Sequence, residues 1–161
     1  MNHPHEYASI EWIQDKNMNI VFNLLKGIDF NNYLIQVITY FAEWCPNCQY
    51  ESKPLQKLFE DYHSRGLGIT IIMDYSSRDA SDQFIKKNGL QIPTHYGELD
   101  KKNKSKRIET SFYQFRKSLG DPRDWGVPFH IIIAKDNPSS FGIIMGEFKD
   151  NEIRSYLSKY L

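Results

Sequence analysis

The sequence predicts an α/β fold built on a central sheet of mixed direction with helices on both sides, and three observations predict it. Residues 34–42 and 68–74 are almost uninterruptedly apolar, as strands buried on both faces require. Each is followed by a helical pattern, and the order strand, helix, strand, helix implies parallel pairing through right-handed crossovers. Nearer the C-terminus, residues 129–134 and 141–145 flank the turn Asp136-Asn137-Pro138 and read as an antiparallel pair, which makes the sheet mixed.

Taken in order, a short strand is expected near 10–13 and a helix over about 17–26, where Ile20, Val21, Leu24 and Leu25 recur with helical spacing. After the strand at 34–42, Leu55, Leu58, Phe59 and Tyr62 fall at i, i+3, i+4 and i+7 in a helix of about twenty residues. It starts near Cys45 and closes with His63 and Arg65 before Gly66. Pro54 inside it is expected to kink the helix, because it removes the hydrogen bond to the Tyr50 carbonyl. Beyond the strand at 68–74, residues 81–88 form a short helix with Phe84 and Ile85 inward and Gly89 behind. The pattern weakens between 91 and 124. There the basic run 101–107 reads as an exposed, solvated loop leading into an amphipathic helix. Phe112, Tyr113, Phe115 and Leu119 of that helix pack this stretch onto the domain, and Gly120 ends it. A last helix carries Ile153, Tyr156, Leu157 and Tyr160 on one face.

At 161 residues the chain fits one domain, large enough to fold without a structural disulfide or metal. Its core is expected at about 8–90 and 125–161, with 91–124 as an insertion. Twenty basic residues balance twenty acidic ones, so no global field draws the chain to nucleic acid or an anionic membrane. No stretch has the length and apolarity of a membrane-spanning helix, and the N-terminus lacks the basic and apolar pattern of a signal peptide. The reading is a soluble monomer without a cofactor.

Its two cysteines stand three apart, in Trp44-Cys45-Pro46-Asn47-Cys48, a spacing that random placement gives about one per cent of the time. Disulfide exchange needs a thiolate near neutral pH, a second thiol close by, and access for a partner. A cysteine between a strand end and a helix start lies among unpaired backbone N–H groups at the positive end of the helix dipole, which favours the thiolate. Pro46 suits the first helical turn. Cys48 lies one turn on, on the same face and deeper. Cys45 is therefore the expected attacking thiol, exposed, and Cys48 the buried resolving thiol. A zinc site would need further ligands from the five histidines.

The chain resembles the thioredoxin superfamily. Phe41-Ala42-Glu43-Trp44-Cys45-Pro46-Asn47-Cys48 is similar to its active-site motif, Gly126-Val127-Pro128 before a hydrophobic strand to its cis-proline loop, and Gly146 before the last helix is a third matching point. Glu51, with residues 84–93, resembles the TlpA-like and DsbE-like extracytoplasmic thiol:disulfide proteins, whose domain carries an insertion ahead of the cis-proline strand. The resemblance implies a thioredoxin-like three-layer α/β/α fold and a thiol:disulfide oxidoreductase, tilted toward a reductant. It further implies protein disulfide or dithiol substrates, a redox partner protein and an extracytoplasmic, periplasmic location, with the cytoplasm as the alternative. It also implies that Pro128 is cis and faces the dithiol, that the Val127 backbone pairs with an extended substrate strand, and that Trp44 forms part of the contact surface. Rival readings are an oxidant or isomerase of the same fold, a metal carrier using Cys45, Cys48 and a histidine such as His130, and a binding adaptor. The chain departs from thioredoxin at Thr39, where thioredoxin keeps a buried aspartate, and at Phe129, where threonine is frequent. Glu51 is the candidate proton acceptor if buried, although a glutamate on a helix is expected at the surface. His130 shares a face with Pro128 by strand alternation and is expected to be a satisfied or exposed histidine.

Overall fold

The computed structural model describes residues 3–29 and 32–161; Met1, Asn2, Phe30 and Asn31 lie outside the described residues. In chain order the elements are β1 (Tyr7–Ala8), β2 (Glu11–Gln14), α1 (Asn19–Leu24), β3 (Ile35–Phe41), α2 (Pro46–Tyr62), β4 (Leu67–Met73), α3 (Arg78–Lys87), β5 (Thr94–Tyr96), α4 (Lys104–Arg107), α5 (Ser111–Ser118), β6 (Phe129–Ala134), β7 (Ser140–Ile144), β8 (Glu147–Phe148) and α6 (Asp150–Tyr160). Six strands form one sheet in the order β2-β7-β6-β3-β4-β5, and β1 pairs with β8 in a small parallel ribbon. The strands β3, β4 and β5 are parallel to one another, while β6 and β7 run as an antiparallel hairpin beside β3. This is the predicted mixed sheet.

All seven residues of β3 and all seven of β4 are buried, which is why both lack the polar alternation of a half-exposed strand. Successive side chains of β3 then serve opposite helix layers. Tyr40 stacks on Phe112 of α5 with ring centroids 3.8 Å apart, whereas Phe41 meets Phe84 of α3. On the Phe41 side α2 packs against α6, and on the Tyr40 side α1 packs against α5. Each such ring pair contributes about 0.5–1.5 kcal/mol beyond its buried area. The helix α2 runs unbroken through Pro54 and places its N-terminus at the end of β3.

The stretch 91–124 is more structured than a loop. It supplies the edge strand β5, and Lys104–Arg107 of the basic run form α4; the run is largely exposed, as expected, and only Arg107 in it is buried. The cause is aromatic: the Arg107 guanidinium lies 5.0 Å from the Trp125 ring centroid and 5.7 Å from that of Tyr113.

Asp74, at the end of β4, accepts from the N–H groups of Tyr75 and Leu99 through Oδ1, while Oδ2 has no partner among the described residues. Burial pushes its carboxyl up to about 6, against the pull of those two N–H groups. Since the folded value exceeds the unfolded one, the folded chain binds the extra proton. Its contribution is fully present below about pH 4 and is lost as pH rises through about 6, by about 3 kcal/mol in total. Asp74→Asn is expected to flatten the dependence of the urea midpoint on pH between 4 and 7. An unchanged slope would contradict this assignment.

Candidate active site

Cys45 caps α2: its backbone is extended, and its Sγ accepts a hydrogen bond from the Cys48 N–H at 3.3 Å. Pro46 occupies the first helical position, where its missing N–H is no loss. Both cysteines are free thiols. Their environments split them. The Cys48 thiol as hydrogen-bond partner lowers the Cys45 pKa, burial opposes it, and the N–H groups of Cys48 and Asn47 lower it further, leaving it below an ordinary thiol. Burial pushes Cys48 well above one, and the negative charge accumulating on Cys45 and Glu51 adds to the effect.

The loop before β6 closes over this pair. The Val127–Pro128 peptide is cis, and the Cys45 thiol donates to the Val127 carbonyl at 3.6 Å. That contact explains a departure from expectation: Cys45 is only 5% exposed, not an open thiol, because the loop lies against its sulfur. Trp44 stands half-buried beside it, its indole N–H donating to the Tyr75 carbonyl and its ring edge-on to Trp125 at 5.5 Å. The Lys102 ammonium sits 4.0 Å over the Trp44 ring.

Two further groups hold the site, and sequence reading did not single them out. The first is a buried network from α5 and the following turn. Arg116 is fully buried, pairs with Asp121 at 3.2 Å and donates to the carbonyls of Arg123 and Asp124. Arg123 also binds Asp121, at 2.9 Å, and donates to the carbonyls of Pro128 and Gly126 at 2.9 and 3.3 Å. Gly126 has φ 69°, and a Cβ there would come within 2.1 Å of the Arg116 guanidinium, so the position needs glycine for both reasons. The second is the N-terminal strand segment. Buried Asn47 donates to the Pro4 carbonyl and to Glu147, and Glu147 also binds His5 and the Glu6 N–H.

Glu51 is a correction. Expected at the surface, it is buried, and its carboxylate pairs with His130 Nε2 and accepts from the Phe148 N–H. Burial raises its pKa, while His130 and that N–H pull the other way. His130, fully buried, makes its other contact with the Thr39 hydroxyl through Nδ1 at 2.7 Å. Among the described residues no group of three or more His, Cys, Asp or Glu side chains is placed to hold a metal ion. No described helix is long and apolar enough to cross a membrane.

No protein-family model and no curated relative matches the chain. Solved structures do. A thiol:disulfide interchange protein of the thioredoxin family from Chlorobium tepidum TLS aligns over 99% of each chain at 16% identity, with a TM-score of 0.57. A DsbF homologue from Corynebacterium diphtheriae aligns at 20% identity over 94% of this chain and 85% of its own, with a TM-score of 0.58. The chain has a thioredoxin-like fold. A secreted Mycobacterium tuberculosis disulfide oxidoreductase homologous to E. coli DsbE shares it at 12% identity, over 78% of this chain and 81% of its own, with a TM-score of 0.55. Within this thioredoxin-like frame the sequence-selected residues Trp44, Cys45, Cys48, Val127 and Pro128 converge at the N-terminus of α2, and Glu51 lies one turn below Cys48.

Proposed function

We propose that the chain is a thiol:disulfide oxidoreductase in which Cys45 attacks a protein disulfide and Cys48 resolves the mixed disulfide, with Glu51 as proton acceptor. The observation that carries this reading is the opposed tuning of the two thiols: Cys45 is drawn toward the thiolate and touches the Val127-Pro128 loop, while Cys48 is sealed beneath it. Trp44, Val127 and Pro128 supply the surface that a substrate strand meets. The partners are protein disulfides or dithiols and a second redox protein, met by a monomer.

A reducing role is supported by the nature of the forces on Cys45. The largest that favour its thiolate are hydrogen bonds from neutral groups, opposed by burial and by Glu6. No positively charged side chain is among these favouring groups, an arrangement that suits a donor of electrons. An extracytoplasmic location is supported by the likeness to the secreted mycobacterial oxidoreductase.

The test is reduction of insulin by dithiothreitol with catalytic amounts of the protein. Earlier precipitation of the freed insulin B chain is expected, and a time course equal to that of dithiothreitol alone would overturn the reading.

A further inference from the structure

The resolving step poses a problem that the geometry of the buried layer answers. Cys48 has no exposure, and burial raises its pKa, yet to attack it must lose its proton where water does not reach. The acceptor has to be inside the protein. A carboxylate alone would serve badly, because burial favours its neutral form, and a neutral carboxyl takes no proton.

We propose that His130 is a positioning residue that, held by Thr39, keeps buried Glu51 able to accept the Cys48 proton during resolution. The inference rests on the oxidoreductase reading and deepens it. Thr39 of β3 and His130 of β6 are direct register partners, so their side chains lie together on the face of the sheet that α2 covers. Glu51 follows Cys48 by one helical turn on the same face. Thr39, His130 and Glu51 are each at most 2% exposed. The chain of contacts runs from the Thr39 hydroxyl to His130 Nδ1, and from Nε2 to Glu51 Oε1. The Phe148 N–H completes the carboxylate from β8, where the Phe148 ring also packs against the imidazole in a T-shaped contact. The other titratable groups facing Glu51 are Cys48 on α2 and Glu147 on β8; the latter is held by His5 and Asn47 and disfavours a second negative charge.

The step balances within these groups. The substrate is joined to Cys45 as a mixed disulfide. Cys48 gives its proton to the Glu51 carboxylate, which becomes neutral. The Cys48 thiolate forms a bond to Cys45 Sγ, the bond from Cys45 to the substrate sulfur breaks, and the electron pair leaves on that sulfur, which takes a proton from water. Two protein thiols are oxidised and one substrate disulfide is reduced. Thr39 stands where thioredoxin keeps its aspartate, and here it holds the imidazole instead of taking the proton.

The test uses the reduced protein and the aromatic disulfide DTNB, whose thiolate is coloured. Attack by Cys45 releases one coloured thiolate, and resolution by Cys48 releases the second in a separate phase. In the parent protein the second phase is expected to fall as pH drops and the Glu51 carboxylate takes up a proton from solution. In Glu51→Gln it should slow at least tenfold at pH 7. In His130→Phe its midpoint should move to higher pH, because Glu51 loses the partner that keeps it ionised. Thr39→Val, which removes only a hydroxyl, should move the midpoint in the same direction by less, and it keeps the proposal testable if the His130 variant does not fold. The first phase is the internal control. A second phase with parental rate and pH profile in both Glu51→Gln and Thr39→Val would overturn the inference, as would equal slowing of both phases, which marks a merely structural role. Absence of any second release from the parent protein would instead overturn the oxidoreductase reading itself.

Discussion

Cys48→Ala is expected to convert the protein into a trap: mixed with a disulfide-bonded protein, it should accumulate an adduct through Cys45 that survives denaturation and disappears with reductant. The variant keeps the backbone N–H groups of residues 47 and 48, which lower the Cys45 pKa; with the thiol that would expel the substrate it also loses the largest interaction that favours the Cys45 thiolate, so the adduct should form more slowly but persist. Cys45→Ala should do the reverse and abolish exchange altogether, by more than a thousandfold, because Cys48 is sealed from any partner and held in its thiol form. Mass spectrometry of the adduct on non-reducing gels reads both outcomes. An adduct mapped to Cys48, or turnover by the Cys48→Ala variant at the parental rate, would reverse the assignment of roles.

Asp121→Ala is expected to have the largest effect on stability. Its carboxylate is the counter-charge of fully buried Arg116 and is also bound by Arg123 at Oδ1 and Oδ2. Removing it leaves a guanidinium without a charge partner in the interior, a loss of about 3–5 kcal/mol. That is a large share of the roughly 5–15 kcal/mol by which domains are stable. The same change frees Arg123, whose two donations to the Gly126 and Pro128 carbonyls hold the loop against Cys45, so exchange should also slow in the molecules that remain folded. Urea unfolding at unchanged slope measures the first effect, and Asp121→Asn, which keeps an acceptor, should recover part of it. A midpoint for Asp121→Ala within about 1 kcal/mol of the parent would contradict the proposed clamp.

What could be read in the sequence, and what could not, divides along a physical line. The strands β3, β4 and β6 were legible because burial on both faces leaves a continuous apolar run, and α2 because its buried face recurs at helical spacing. The dithiol was legible because its parts are local: a strand end, a proline and a helix start. The elements β1, β5, β8 and α4 are two to four residues long, too short for any period, and exist through pairing or packing with distant partners. The burial of Glu51 was hidden for the same reason. On its own helix it looks like a surface carboxylate, and only the sheet register brings His130 and Thr39 beneath it. Arg116 likewise sits on an amphipathic helix where an arginine is normally exposed, and its partners Asp121 and Arg123 follow in a turn with no periodic signal. The exposure expected of Cys45 failed because the loop that covers it arrives from Val127, far along the chain.

On the proposed reading Cys45 and Cys48 act as one two-electron couple that donates electrons. Equilibration against a graded glutathione buffer, with thiols trapped by acid and counted by mass, tests it most directly. A single two-electron transition joining Cys45 to Cys48 is expected, with a midpoint more reducing than about −230 mV. A midpoint of about −120 mV would make the protein an oxidant, and failure of the two sulfurs to join at any ratio would rule out a dithiol couple altogether.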